Sequence, residues 1–187
     1  MLFRSMALRQ KNVKRMLAFS GISHAGFMVM ALLSMTTAAS TLLYYTAAYA
    51  LAGIASFAVI IYVTKDKDNE DISNFNGLGK TNPLLAAILT ASLLSMAGIP
   101  IFSGFFAKFM LFANTIKEGY LLVVIVAVIN SIISVGYYFK LILAMYTKDA
   151  SEEKAAVPFV YYAVAVLAIL LNIIMGVYPS FVTNLLN

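Results

Sequence analysis

The sequence predicts an all-α membrane protein with five transmembrane helices, the third of them discontinuous at Gly98–Pro100. Of its 187 residues, 62% are hydrophobic and only 11% are charged, whereas about a quarter are charged in an ordinary soluble domain. Each of five apolar segments has at least the roughly 20 residues needed to cross a hydrocarbon core of about 30 Å. They lie at about 16–35, 41–63, 83–114, 120–146 and 157–186.

The first segment follows a basic N-terminal arm, residues 1–15, and together the five segments form one membrane domain, residues 16–187. His24, the only histidine of the chain, lies near the middle of this segment, and Ser20 lies one helical turn before it. An imidazole that titrates near neutrality can relay protons. The same residue is also compatible with a packing role, with its ring nitrogens bonded to a neighbouring serine or carbonyl.

The third segment is longer than a membrane crossing requires, since 32 residues from Pro83 to Asn114 would form a helix of roughly 48 Å. Pro100 lacks a backbone N–H and disfavours helix at the residue before it, and Gly98 and Gly104 add backbone freedom. We therefore expect non-helical backbone between Gly98 and Gly104. Backbone freed at membrane depth must be satisfied by protein or by a wet cavity.

Lys108 follows this predicted break and is the only charged residue between Thr81 and Ile116. An ionisable residue inside a membrane segment is a candidate functional residue, so we expect Lys108 to accept and donate protons while facing other helices. The alternative is a lysine whose long side chain reaches the nearer membrane surface.

The distribution of lysine and arginine predicts the orientation of the chain. Five basic residues lie in the arm, three in the connection after the second segment, and three at or after the end of the fourth, including Lys140, which we interpret as an interface anchor. The opposite side carries only Lys117. We expect the N-terminus to lie on the cytoplasmic, matrix or stromal side and the C-terminus on the opposite side, which in a bacterial inner membrane would be the cytoplasm and the periplasm. The net charge of +5 therefore indicates topology and lipid contact, not binding of nucleic acid.

The chain has no cysteine and one histidine, which excludes thiolate metal sites and histidine clusters and argues against the usual ligation of haem or iron–sulfur clusters. We predict no catalytic, cofactor-binding or metal-ligating residue in this chain.

Four stretches of the sequence resemble one family. ALRQKNVKRMLAFSGISHAGF (Ala7 to Phe27), YYTAAYALAGIASF (Tyr44 to Phe57), GLGKTNPLLA (Gly77 to Ala86) and SLLSMAGIPIFSGFFAKF (Ser92 to Phe109) are similar to segments found in the same order in the N subunit of NADH:quinone oxidoreductase. Its mitochondrial equivalent is subunit 2 of complex I. The family belongs to the antiporter-like membrane subunits, and the resemblance covers nearly the whole chain.

The resemblance implies a fold of fourteen transmembrane helices, of which this chain corresponds to helices ten to fourteen. It implies that Lys108, His24 and Lys14 take part in proton transfer, with Gly98, Pro100 and Gly104 at the helix break. Lys14 would lie at the mouth of a proton path, although a lysine at the start of a membrane helix often only sets topology or binds lipid phosphate. The membrane would be the bacterial inner membrane.

The resemblance also implies that the redox chemistry lies elsewhere. NADH, FMN, iron–sulfur clusters and quinone would belong to partner subunits, and the partners would include M-type, L-type and K-type membrane subunits, membrane lipids and an N-terminal half with the first nine helices. The chain would then be part of a proton-translocating subunit that couples quinone reduction to proton transfer, as a fragment or the product of a split gene, and inactive alone. Two alternatives stay open: a subunit of an Mrp-type cation/proton antiporter, or a structural membrane fragment without transport of its own.

Overall fold

The computed structural model describes residues 2–34, 36–149 and 158–180, and these residues fold as an α-helical bundle. Two short 3₁₀ helices, Ala31–Leu33 and Ile72–Phe75, accompany the α-helices. The α-helices are α1 (Leu2–Arg9), α2 (Val13–Met30), α3 (Ala38–Thr64), α4 (Leu78–Thr81), α5 (Pro83–Ala97), α6 (Ser103–Lys117), α7 (Leu121–Thr147) and α8 (Phe159–Val177).

Four helical segments are long and apolar enough to cross a membrane: Val13–Leu33, Ala38–Thr64, Leu121–Thr147 and Phe159–Val177. They correspond to the first, second, fourth and fifth predicted segments, so the prediction of an all-α membrane fold is confirmed. The end of the fifth predicted segment, beyond residue 180, lies outside the described residues, as does most of the connection between α7 and α8.

The third predicted segment is two half-helices in series, and its predicted discontinuity is confirmed. α5 and α6 have 15 residues each, or roughly 22 Å, so neither crosses a core of about 30 Å alone. α5 ends at Gly98, whose φ of +86° is left-handed. The N–H groups of Gly98 and Ile99 donate to the carbonyls of Ser95 (2.9 Å) and Leu94 (3.0 Å), the pattern of a Schellman motif.

Close backbone contacts hold the break in place. Gly104 lies in the first turn of α6 and not in the irregular backbone itself, and a β-carbon there would lie 1.9 Å from the carbonyl oxygen of Ser95. Gly176 of α8 comes equally close, since its β-carbon would lie 2.2 Å from the carbonyl oxygen of Ile101. Small residues are common where membrane helices approach this closely. Ile101 itself has a φ of +87°, which is rare for a β-branched residue.

The basic connections meet at one end of the bundle, which we call the basic end. The segment predicted as an N-terminal arm folds in part as α1, which packs on α2 and α7 and buries Ala7 completely. The loop after α3 joins this end, because Val13 donates its backbone N–H to the carbonyl of Glu70 at 2.8 Å. At the opposite end, Ser34 donates to Glu118 at 3.1 Å. The long helices thus run between the basic end and an opposite end with few basic residues.

Candidate functional site

Lys108 projects from α6 into the bundle and is 6% exposed. Its Nζ donates three hydrogen bonds of 2.9 Å each, to the carbonyl oxygens of Met96 and Ala97 and to Oγ of Ser131 on α7. The three donors of an ammonium group are therefore matched by three acceptors. The side chain ends between helices, so the alternative of a lysine that reaches the membrane surface does not describe its placement.

The break creates the acceptors that hold Lys108. The carbonyls of Met96 and Ala97 belong to the last turn of α5, where a helix leaves its carbonyls without intrahelical partners. The same end of a helix carries the negative pole of the macrodipole and favours a cation. The ring of Phe27 on α2 lies 5.4 Å from Nζ and adds a cation–π contact. In a continuous helix the carbonyl of Ala97 would accept from the N–H of Ile101 instead, and the carbonyl of Met96 would face Pro100, which has no N–H.

His24 lies in α2, is 5% exposed, and has a partner on each ring nitrogen. Nδ1 lies 2.8 Å from the hydroxyl of Tyr45, and Nε2 lies 3.2 Å from the hydroxyl of Tyr138. The ring also stacks on Tyr49 at 4.4 Å between centroids. A neutral imidazole donates from one nitrogen and accepts at the other, so the arrangement can take up a proton on one side of the ring and release one on the other.

Tyr138 extends this cluster by a further hydrogen bond, with Oγ of Ser20. The expectation that Ser20 lies beside His24 is met only indirectly, since the tyrosine hydroxyl stands between them. Sequence analysis did not single out Tyr45, Tyr138 or Ser131. Their signal is weak: tyrosines in a membrane segment usually anchor or pack, and the partners of Tyr138 are more than 100 residues away in sequence.

A small cavity separates the lysine from the histidine cluster. It measures about 10 Å³ and is lined by His24, Tyr45, Ser95 and Lys108, among others. This volume is about what one water molecule requires, and such a water needs two to four polar partners. The lining supplies an imidazole, hydroxyls and an amine, so the cavity is suited to a bridging water between Lys108 and the His24 cluster.

Buried polar contacts fix the helices around this cavity. Asn172 of α8 is fully buried, accepts from Oγ of Ser95 at 3.0 Å and donates to the carbonyl of Ala48 at 3.0 Å. Ser95 in turn accepts from the backbone N–H of Gly104 at 3.3 Å. These bonds join α3, α5, α6 and α8, whereas α2 and α7 contribute His24, Tyr138 and Ser131 to the site.

Lys14 lies apart from the other two predicted site residues. It precedes His24 by ten residues, or roughly 15 Å along α2. Its Nζ pairs with Oε1 of Glu70 at 3.0 Å at the basic end. Hydrogen bonds from Asn12 and Lys14 hold the pKa of Glu70 below its usual value. The structure thus brings together Lys108 and His24, while Lys14 lies where the basic end meets α2.

Lys140, which the sequence suggests as an interface anchor, contacts the end of α1. Its Nζ donates to the backbone carbonyls of Gln10 at 2.8 Å and Leu8 at 3.3 Å. It thereby supplies donors to free carbonyls near the C-terminal end of α1. Among the described residues, His, Cys, Asp and Glu side chains form no group of three that could hold a metal ion.

A discontinuous membrane helix with an amine buried at its break, beside a hydrogen-bonded histidine, defines a polytopic membrane protein of the transporter type. The chain belongs to the family described as the transmembrane region of NADH:quinone oxidoreductase and Mrp antiporters, whose model matches residues 1–134.

Relatives and solved structures agree with this assignment. The chain is 71% identical over 182 residues to NADH-quinone oxidoreductase subunit N of Flavobacterium johnsoniae, covering 97% of this chain and 39% of that protein. It superimposes with a TM-score of 0.88 on a chain of respiratory complex I from Thermus thermophilus, at 32% identity, covering 98% of this chain and 42% of the other. A chain of an archaeal membrane-bound sulfane sulfur reductase gives 0.90 at 34% identity, with 98% and 38% covered. The chain therefore spans about two fifths of the length of these relatives.

Proposed function

We propose that this chain is the C-terminal part of a proton-translocating membrane subunit of a respiratory NADH:quinone oxidoreductase. The observation that carries the proposal is the placement of Lys108. Its amine is buried in an apolar bundle, bonded to the end of a broken half-helix, and separated from the His24 cluster by a cavity of the size of one water. An amine in this setting can exchange protons with neighbours on two sides.

In the proposed path, protons move between Lys108 and His24 through the cavity. From His24 they continue through the hydroxyl of Tyr138 to Ser20, towards the basic end. Lys14, at the start of α2, stands at the mouth of this path.

Gly98, Pro100 and Gly104 shape the break that presents the α5 carbonyls to the lysine. No catalytic or cofactor-binding role is proposed for any residue of the chain.

We propose a cytoplasmic basic end and a periplasmic opposite end in the bacterial inner membrane. Arg9, Lys11 and Lys14 support this orientation, since they lie at the same end of the bundle as the connection that carries Glu70. Basic residues are retained on the cytoplasmic side of membrane proteins. NADH, FMN, iron–sulfur clusters and quinone are assigned to partner subunits, which makes this a non-redox subunit of the enzyme.

An open groove supports the need for further protein. It has a volume of about 430 Å³ between α2 and α7 and is lined by Ile22, Phe27, Val126 and Asn130, among others. Oδ1 of Asn130 is buried there without a hydrogen-bond partner among the described residues. We propose that the remaining helices of the subunit, with M-type, L-type and K-type subunits beyond them, complete this face. The isolated chain should therefore not transport protons in liposomes.

The test is Lys108→Ala in the assembled enzyme, with the ratio of protons moved to electrons transferred as the readout. The ratio should fall, and quinone reduction should slow with it, because electron flow in a coupled enzyme waits on proton movement. An unchanged ratio at normal assembly and turnover would leave Lys108 with a packing role and would favour the structural-fragment alternative.

The description of the family keeps an Mrp-type antiporter subunit as a second candidate. The two candidate functions differ in their dependence on sodium, because an antiporter exchanges sodium for protons without NADH or quinone. Sodium-driven proton movement in vesicles that lack NADH would support this alternative, and its absence alongside NADH-driven pumping would support the first.

A further inference from the structure

A second groove lies at the basic end, away from the candidate proton path. It has a volume of about 520 Å³ and runs between the 3₁₀ segment Ile72–Phe75 and one face of α7. The residues that α7 contributes lie three, four, seven, eight and eleven positions after Gly136, so they form one stripe along the helix. They are Gly136, Phe139, Lys140, Leu143, Ala144 and Thr147, and Lys148, which directly follows the helix, also lines the groove.

The two ends of this groove differ in chemistry. At the end of α7, the groove is lined by Thr147 and Lys148, with Ser73 and Asn76 across from them. Deeper along α7 the exposed side chains of Leu143 and Phe139 line the groove, and Lys140 between them points to the backbone carbonyls of Leu8 and Gln10. The stripe ends at Gly136, against which the Leu8 side chain packs. The groove is thus polar and basic at its mouth and mainly apolar along its floor.

The length of the groove matches one leaflet of a membrane. From Gly136 to Thr147 is eleven residues, or roughly 16 Å along α7. Half of a hydrocarbon core of about 30 Å is about 15 Å. An acyl chain that lies along this stripe would therefore extend from the interface to about the middle of the bilayer.

The charge at the mouth selects the head group. Among the described residues, neither Lys140 nor Lys148 forms an ion pair with a carboxylate, and Lys140 meets only backbone carbonyls. The neighbouring Asp149 is paired with Lys80 at 3.4 Å. Among the described residues that line the mouth, Lys148 supplies a positive charge beside hydroxyl and amide side chains. Basic pockets of this kind at the cytoplasmic surface bind anionic lipid head groups.

We propose that this groove binds one anionic phospholipid, with its phosphate on Lys148 and one acyl chain along Leu143, Phe139 and Gly136. The lipid fills the space between α7 and the segment Ile72–Phe75 and so attaches the loop after α3 to α7. The inference does not depend on proton translocation, since it concerns the opposite face of α7 from Ser131 and Tyr138.

The test uses the full-length protein in its assembled complex, in nanodiscs that contain phosphatidylglycerol or phosphatidylcholine with a diazirine in the acyl chain. After irradiation, labelled peptides are mapped by mass spectrometry. We expect α7 residues 136–147 to be labelled more by phosphatidylglycerol than by phosphatidylcholine. Lys148→Gln should lower labelling by phosphatidylglycerol about fivefold, as expected for the loss of one basic residue near an anionic surface. Lys65→Gln, at the same end but outside the groove, should leave it unchanged.

A second pair of variants tests the acyl chain. Leu143→Trp should block the groove and reduce labelling, whereas Leu122→Trp, at the far end of the same helix, should not; both leucines are exposed. Equal labelling by the two lipids, no effect of Lys148→Gln, or no labelling at all because other protein covers the groove would overturn the proposal. Loss of labelling on addition of millimolar glycerol phosphate would also overturn it, because the site would then recognise the free anion and not the lipid.

Discussion

A β-carbon placed on Gly98 would lie 2.9 Å from Cδ and 3.3 Å from Nζ of Lys108. The residue that ends α5 is therefore also the surface on which the buried lysine lies. A change at Gly98 therefore affects both the stability of the backbone turn and the position of the lysine amine. The two effects can be separated experimentally.

We expect Gly98→Ala to lower both stability and pumping. The left-handed φ of +86° costs a residue with a side chain about 1–2 kcal/mol, and the new methyl group displaces the lysine from its carbonyl acceptors. Gly119→Ala is the matched control, because Gly119 has the same φ but nothing within 4 Å. Unfolding in mixed micelles should show a loss for both variants, larger for Gly98→Ala because of the contact with Lys108, and only Gly98→Ala should reduce proton transfer. Equal pumping by the two variants would contradict the role given to this contact.

Lys108→Arg should not restore proton transfer, although it keeps the positive charge. A guanidinium does not give up its proton in proteins, so it can fill the site but cannot take part in exchange. Proton movement per electron should stay close to that of Lys108→Ala, with better assembly than the alanine variant. Full activity of Lys108→Arg would mean that the site needs only a charge.

Tyr138→Phe should weaken both stability and pumping, because its hydroxyl bonds to Ser20 and His24. A buried polar group left unpaired costs about 1–3 kcal/mol. The control is Tyr44→Phe, which loses a buried hydrogen bond of 2.6 Å to the carbonyl of Met175 away from the histidine. If pumping at equal assembly falls equally in both, the histidine cluster is not part of the path. His24→Ala and Lys14→Ala should reduce pumping less than Lys108→Ala, since water can fill the space they leave.

The contact between Asn12, Lys14 and Glu70 should be stable at neutral pH and be lost only in acid. The pKa of Glu70 is lowered in the folded protein, so its ionised form contributes stability above the usual carboxyl range, and that stability disappears as pH falls through the lowered pKa. The protection factor of the Val13 N–H, which donates to the carbonyl of Glu70, measures this, because it is the exchange rate relative to that of the unprotected amide at the same pH. Glu70→Gln should remove the pH dependence of this protection factor, and Asp68→Asn, on the same loop, should not.

Reporter fusions at Asn69 and at the C-terminal Asn187 should report opposite sides of the membrane. The chain crosses the membrane between them three times, once as the pair α5–α6 and once each through α7 and α8. We expect the fusion at Asn69 to be cytoplasmic. The same side for both fusions would contradict the topology.

The position of the break follows from the sequence because its cause is local. Gly98 and Pro100 alter the backbone whatever surrounds them, and an apolar segment too long for one crossing has to use its extra length. The position of Lys108 inside a membrane segment also follows from the local sequence, since it is the only charged residue of that apolar segment. By contrast, Ile101 is the residue that takes a left-handed φ of +87°, which no propensity would assign to a β-branched side chain. The backbone of Ile101 in this conformation packs against Gly176 of α8, a contact that the local sequence does not show.

The partners of the site could not be predicted because they come from distant parts of the chain. Ser131 reaches Lys108 from 23 residues away, and Tyr138 reaches His24 from 114. Nothing in the local pattern separates these side chains from those that only pack or anchor. Lys14 illustrates the same limit, because its partner Glu70 is brought to it by a loop 56 residues along the chain.

The three acceptors around Lys108 differ in one respect. The carbonyls of Met96 and Ala97 can only accept, whereas the hydroxyl of Ser131 can also donate. A neutral amine has two N–H groups and one lone pair, so it can keep both carbonyls while Ser131 rotates and donates to the nitrogen. The same two carbonyls at the end of α5 therefore bind both the charged and the neutral lysine, and the hydroxyl of Ser131 adapts to the loss of the proton by changing from acceptor to donor.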